Sequence, residues 1–229
     1  MERWGRAAIG GGLLGLAVGA LVGCGPELHA LEQSLRPFHP VPNENERYEL
    51  QGVSVLPPQG PWRFAFARGN ESGSWLDPAD GDHVARKHAN LLKFARMAST
   101  DYRRAGAFIL IRRPSIVGAD MVALHARVEQ GVRAEIRDRL QYERAEADVS
   151  VDRSLGRPCV RVVFHTMDRP SWPTVRKVRR GTTFWCPALT ATSRFVQIGF
   201  FDEFPPGAEP LPIEEEVGRF LGSFAASAS

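Results

Sequence analysis

The chain has 229 residues, 43% hydrophobic and 24% charged, with 22 Gly, 17 Pro and a formal net charge of +3. That length suits one domain with an ordinary core, and the composition excludes a collagen, a coiled coil and a wholly disordered chain. So small a positive charge is no argument for a nucleic-acid partner.

The first 24 residues read MERWGRAAIGGGLLGLAVGALVGC. Arg3 and Arg6 give a basic start, and Ala7 to Gly23 carries no charge and no strongly polar side chain. Those 17 residues fall short of the roughly 20 that a permanent bilayer-spanning helix needs. A basic n-region, an apolar h-region and small residues before a cut form the pattern of a secretory signal.

The run ends Leu21-Val22-Gly23-Cys24. This segment resembles the lipobox of bacterial lipoproteins: Leu, a small or branched residue, Gly or Ala, then Cys. The resemblance implies a signal peptide over residues 1–23, cleavage before Cys24 and acylation of that cysteine. Several acyl chains would then anchor the protein to a membrane. Gly25, rather than Asp, follows the cysteine. In a two-membrane cell this implies the periplasmic face of the outer membrane. Loss of residues 1–23 leaves 27 basic against 25 acidic side chains.

Residues 24–46 are expected to form a lipidated, Pro-rich tether, with Pro26, Pro37, Pro40 and Pro42 around a short amphipathic stretch (Leu28, Leu31, Leu35). A single domain is expected over residues 47–229, folded from near Tyr48. Two short strands lie around Val53 and Phe64, punctuated by Pro57-Pro58 and Gly60-Pro61. Gly69 to Asp82 is a loop. Asn90–Met97 and Ala107–Arg112 read as strands, the first equally as the end of a helix starting near His83.

Gly118–Arg137 is the strongest helix. Met121, Leu124, Val128, Val132 and Ile136 mark one face, with Asp120 near the start and Arg133 and Arg137 near the end. Four strands follow: Leu140–Val151, Pro158–Met167, Thr182–Leu189 and Arg194–Phe201. A last helix is expected from about Pro212 to Phe224. Glu214, Glu215 and Glu216 lie in its first turn, and Ile213, Val217, Phe220, Leu221 and Phe224 form an apolar stripe.

The order of elements implies an α+β fold: an antiparallel sheet of about six or seven strands packed with two main helices. From element order and the Pro-Trp-x-Phe segment at Pro61–Phe64, residues Tyr48–Phe224 resemble the PsbP-like fold. That fold carries an N-terminal pair of strands and a closing C-terminal helix.

With Cys24 assigned to lipid, Cys159 and Cys186 remain. In an exported domain a disulfide is the expected state. Both sit in strand-like runs 27 residues apart, a loop whose closure is worth roughly 3.5 kcal/mol. A redox pair is disfavoured, since the spacing is not Cys-x-x-Cys and no helix start adjoins either thiol.

The sequence holds no G-x-S-x-G, H-E-x-x-H, Walker loop or G-x-G-x-x-G after a strand, so no reaction is indicated. Three weaker constellations remain. Asp77, Asp80, Asp82, His83 and His88 offer hard donors with an imidazole, but without calcium-loop spacing. A solvated turn ending in a helix cap is the expected reading, with no metal and no cofactor. Arg176, Lys177, Arg179 and Arg180 follow Trp172-Pro173 and are candidate contacts for anionic headgroups or phosphates, or else a solvated hairpin loop. His165 and Asp168, with Arg161 on the alternating face of His165 and Cys159, could do acid–base work, but no nucleophile accompanies them.

The leading expectation is a non-enzymatic envelope lipoprotein that binds a protein partner as an assembly or accessory factor. The alternatives are a small-molecule or lipid binder, and an envelope hydrolase without a recognisable motif. No nucleic-acid partner is expected.

Overall fold

Alternating apolar residues build the strands of this protein, and two glycines leave room for aromatic rings on neighbouring strands. The computed structural model describes residues 38–67, 89–97, 103–112, 120–138, 142–169, 176–187 and 195–226.

Eight strands form one antiparallel sheet: β1 (His39–Pro40), β4 (Arg63–Ala67), β5 (Leu91–Met97), β6 (Arg104–Arg112), β7 (Tyr142–Asp152), β8 (Cys159–Asp168), β9 (Val178–Pro187) and β10 (Phe195–Phe204). Their order across the sheet is β1-β4-β5-β6-β10-β9-β8-β7. The chain winds out through β4, β5 and β6. It restarts at the far edge with β7 and returns through β8 and β9, so that β10 closes against β6. Strand β10 therefore lies centrally, buried along nearly its whole length. Three short strands, β2 (Tyr48–Leu50), β3 (Val53–Val55) and β11 (Ala225–Ala226), form a second antiparallel sheet, with β3 in the middle.

Two helices complete the described fold. Helix α1 (Met121–Asp138) packs Leu124, Val128 and Val132 onto Tyr142, Val160, Val162 and Trp185. Asp120 caps it, accepting the Ala123 N–H at 2.7 Å. Helix α2 (Glu214–Gly222) covers the opposite face with Val217 and Phe220, flanked by Ile213 and Phe224. There the rings of Tyr48, Phe64, Phe94 and Phe220 meet edge to face. Glu216 fixes α2 to the sheet, accepting from Trp62 Nε1 at 2.7 Å and pairing with Arg96.

Cys159 and Cys186 stand directly opposite each other on β8 and β9, both fully buried, and form a disulfide with Cα atoms 4.4 Å apart. Gly106 and Gly181 face Phe201 and Phe164 across neighbouring strands. A Cβ at Gly106 would run into the Phe201 ring, and one at Gly181 into the Phe200 carbonyl oxygen and the Phe164 ring.

The fold is α+β, an antiparallel sheet packed with two helices, but among the described residues that sheet has eight strands rather than six or seven and a second sheet has three. The additional ones are too short to show a period of two. Phe38, the first described residue, is buried, and His39–Pro40 pairs with β4. Residues 38–46 of the expected tether thus belong to the fold, which begins ahead of Tyr48. Residues 91–97 form a strand and not a helix end. Strand β9 begins at Val178, ahead of the expected Thr182, and α2 is shorter than the expected helix.

Candidate functional site

The most unusual chemistry of the described fold lies at the end of β10. Asp202 and Glu203 are adjacent carboxylates, each 1% exposed. Strand alternation sends them to opposite faces of the sheet. The register sets Glu203 between Arg104 of β6 and Arg179 of β9, and Asp202 between Ala105 and Arg180.

Glu203 is held by three cations. Its Oε1 accepts from Arg104 Nε at 2.7 Å and meets Lys177 Nζ at 3.0 Å. Its Oε2 takes a bidentate contact from Arg179, Nη2 at 2.7 Å and Nε at 3.0 Å. Burial pushes this carboxyl up, but the charges of Arg179, Arg104 and Lys177 outweigh it and hold the group at about 2. Planar guanidinium forks suit such a buried carboxylate.

Asp202 faces Arg180, whose Nη2 lies at 3.6 Å, and the Leu211 backbone N–H. Burial pushes this carboxyl up to about 6 against the pull of Arg180, and the Glu214 charge adds to the rise. Arg180 also reaches Glu214 in the first turn of α2, at 3.2 Å, and lies over the Phe204 ring, 5.8 Å from its centroid. It therefore ties β9, β10 and α2 together. The sheet separates the two carboxylates, so they cannot share a proton, a cation or a substrate.

The basic segment of the sequence is divided among these contacts. Arg179 and Lys177 turn to Glu203, and Arg180 to Asp202 and Glu214. Arg176 donates to the Asp168 carbonyl at 3.2 Å and pairs with Glu143. Each of the four meets a carboxylate of the chain, and Arg179 and Arg180 belong to β9 instead of a solvated loop.

Arg161, His165 and Cys159 share one face of β8, as their alternation implies. Asp168 has the opposite parity, so it and the exposed His165 do not form an acid–base pair. Cys24, and Asp77, Asp80, Asp82, His83 and His88, lie outside the described residues. Among the described residues no three His, Cys, Asp or Glu side chains converge as metal ligands would.

Sequence reasoning missed the Arg104–Glu203–Arg179 row. The signal was present: Arg179-Arg180 and Asp202-Glu203 lie on successive antiparallel strands, where pairing brings unlike charges opposite.

No protein-family model, curated protein or solved structure matches this chain.

Proposed function

We propose that this protein is an exported lipoprotein, acylated at Cys24, whose α+β domain binds a protein partner as an assembly or accessory factor. In a two-membrane cell it would stand at the periplasmic face of the outer membrane. The membrane assignment rests on the leader and its terminal Leu21-Val22-Gly23-Cys24. The reading of the domain as a scaffold rests on one structural observation. The buried Glu203 carboxylate is spent on three cations of the chain itself, which assigns this row to holding the scaffold. The PsbP-like arrangement belongs to the same proposal, supported by the β2–β3 pair and by α2 closing the same face.

Affinity recovery from cross-linked envelopes, native chain against Cys24→Ala, tests the reading. A defined partner set recovered only with the lipidated chain is expected. Recovery of the lipidated chain alone would overturn the binding role and turn attention to bound small molecules.

A further inference from the structure

The two edges of the large sheet are unlike. At one end stands β1, two residues long and ending in Pro40, a blunt edge that pairs poorly with anything further. At the other end stands β7, eleven residues without proline, the longest strand of the sheet. Its outer side has no strand beside it among the described residues, and most of its side chains are exposed or half-buried. A long open edge is a template for one more strand.

The side chains along β7 are sorted by face. Ala145, Ala147, Val149 and Val151 pair with Thr166, Phe164, Val162 and Val160 and lie on the α1 side. Arg144, Glu146, Asp148, Ser150 and Asp152 alternate with them on the other side. Arg144 is bound to Glu146 at 2.7 Å. Asp152 accepts from the hydroxyl and N–H of Ser154, which hold its carboxyl below the usual range. Arg161 of β8 stands opposite Ser150 on that side and adds its charge to the pull on Asp152; along β7 itself the side is acidic, Glu146, Asp148 and Asp152 against Arg144.

An apolar anchor marks one end. Helix α1 ends at Asp138 shortly before β7 starts at Tyr142, and His125 Nε2 lies 3.3 Å from the Val149 carbonyl oxygen, so α1 runs antiparallel to β7. Val122 lies about one helical turn beyond His125, toward the same side of the helix, and Val151 lies two residues beyond Val149 on the α1 face. The two exposed large aliphatic side chains of the described fold, Val122 at 78% and Val151 at 52%, are thereby brought to the same end of the open edge.

We propose that the β7 edge receives an extended segment of a partner protein by β-augmentation, with apolar side chains toward α1 and basic side chains toward Glu146, Asp148 and Asp152. Backbone hydrogen bonds would give the affinity and the alternating sides the specificity. Cross-strand neighbours lie close enough for unlike charges to attract and like charges to repel. A second copy of this chain is the poorer occupant. With Arg144 counted against Glu143, Glu146, Asp148 and Asp152, each β7 brings three net negative charges, and self-pairing would line six along one joint.

This inference rests on the protein-binding reading and gives it a surface. The probe is a synthetic peptide of alternating lysine and valine, titrated into the full-length chain in detergent, with a glutamate–valine peptide and an all-lysine peptide as controls. Hydrogen exchange followed by mass spectrometry locates the contact. Binding of the lysine–valine peptide alone is expected, with slowed exchange over residues 142–152. The double variant Glu146→Lys, Asp148→Lys should weaken it about tenfold or more and favour the glutamate–valine peptide. Val122→Ser with Val151→Ser should weaken binding without changing the charge preference. These four side chains are exposed, so the variants are expected to fold, and far-ultraviolet circular dichroism checks it.

Unchanged exchange at β7, or affinity indifferent to charge reversal, overturns the proposal. So does a dimer of the free chain that dissociates on Asp148→Lys, which would make the occupant a second copy. An envelope partner that the double variant still captures sinks the β7 edge and leaves the protein-binding reading standing. Peptide binding at β7 with no envelope partner recovered keeps the edge and removes that reading.

Discussion

Replacing Glu203 by Gln tests whether the charge row across β6, β10 and β9 holds the scaffold. The substitution keeps the shape of the side chain and removes its charge. Arg104 and Arg179, whose side chains are 8% and 5% exposed, are then left in the sheet without this counter-charge, and Lys177 loses its carboxylate. Removing one partner of a buried ion pair costs about 3–5 kcal/mol, because an uncompensated charge remains. Linkage gives a similar figure. The carboxyl is lowered from 4.5 to about 2, and such a shift corresponds to about 3 kcal/mol. A depressed carboxylate pKa contributes stability above its unfolded value and loses it as pH falls through the folded one. The gap between wild type and Glu203→Gln should therefore be full above about pH 4.5 and close toward pH 2. Guanidinium unfolding followed by tryptophan fluorescence across that range reads both quantities. A loss below about 1 kcal/mol at neutral pH, or a gap indifferent to pH, would refute the reasoning.

The remaining predictions concern the other face, the disulfide and the glycines. Asp202 is raised from 3.8 to about 6, so the folded state binds a proton more readily than the unfolded chain, and stability falls as pH rises from about 4 through 6. Asp202→Asn should abolish that slope and add up to about 3 kcal/mol at neutral pH, measured by denaturant titration. The Cys159–Cys186 bridge, being fully buried, should resist a mild thiol reductant until denaturant is added. Its replacement by two serines should cost about 2–4 kcal/mol, read by thermal unfolding. Gly181→Ala should cost more than Gly106→Ala. At Gly181 the new Cβ would meet the Phe200 carbonyl oxygen at 2.3 Å, a backbone atom, whereas at Gly106 it meets only the Phe201 ring. Parallel melts of the two variants decide the order, with each cost about 1–3 kcal/mol.

The fold was legible wherever a period ran long enough. Leu124, Val128 and Val132 announce α1, and Val160, Val162 and Phe164 announce β8 with the correct inner face. The cysteine pairing could be expected because each residue sits in such a run. Strands β1 and β11 were not legible, since two residues have no period and their pairing is decided by distant β4 and β3. The basic run was misplaced for a related reason. Charge suggested a solvated loop, but the strand extends to Val178 because Glu203 waits opposite Arg179. The residues of the open edge were visible in sequence as an alternating strand. That β7 lies at the margin of the sheet follows only from β10 closing against β6.

The most direct measurement is the intact mass and N-terminal sequence of the protein purified from membranes. The expected species begins at Cys24 and carries the mass of a diacylglycerol and an N-acyl chain, and Cys24→Ser leaves the leader attached. A chain that still begins at Met1, or one cut elsewhere and free of lipid, would contradict the lipoprotein reading.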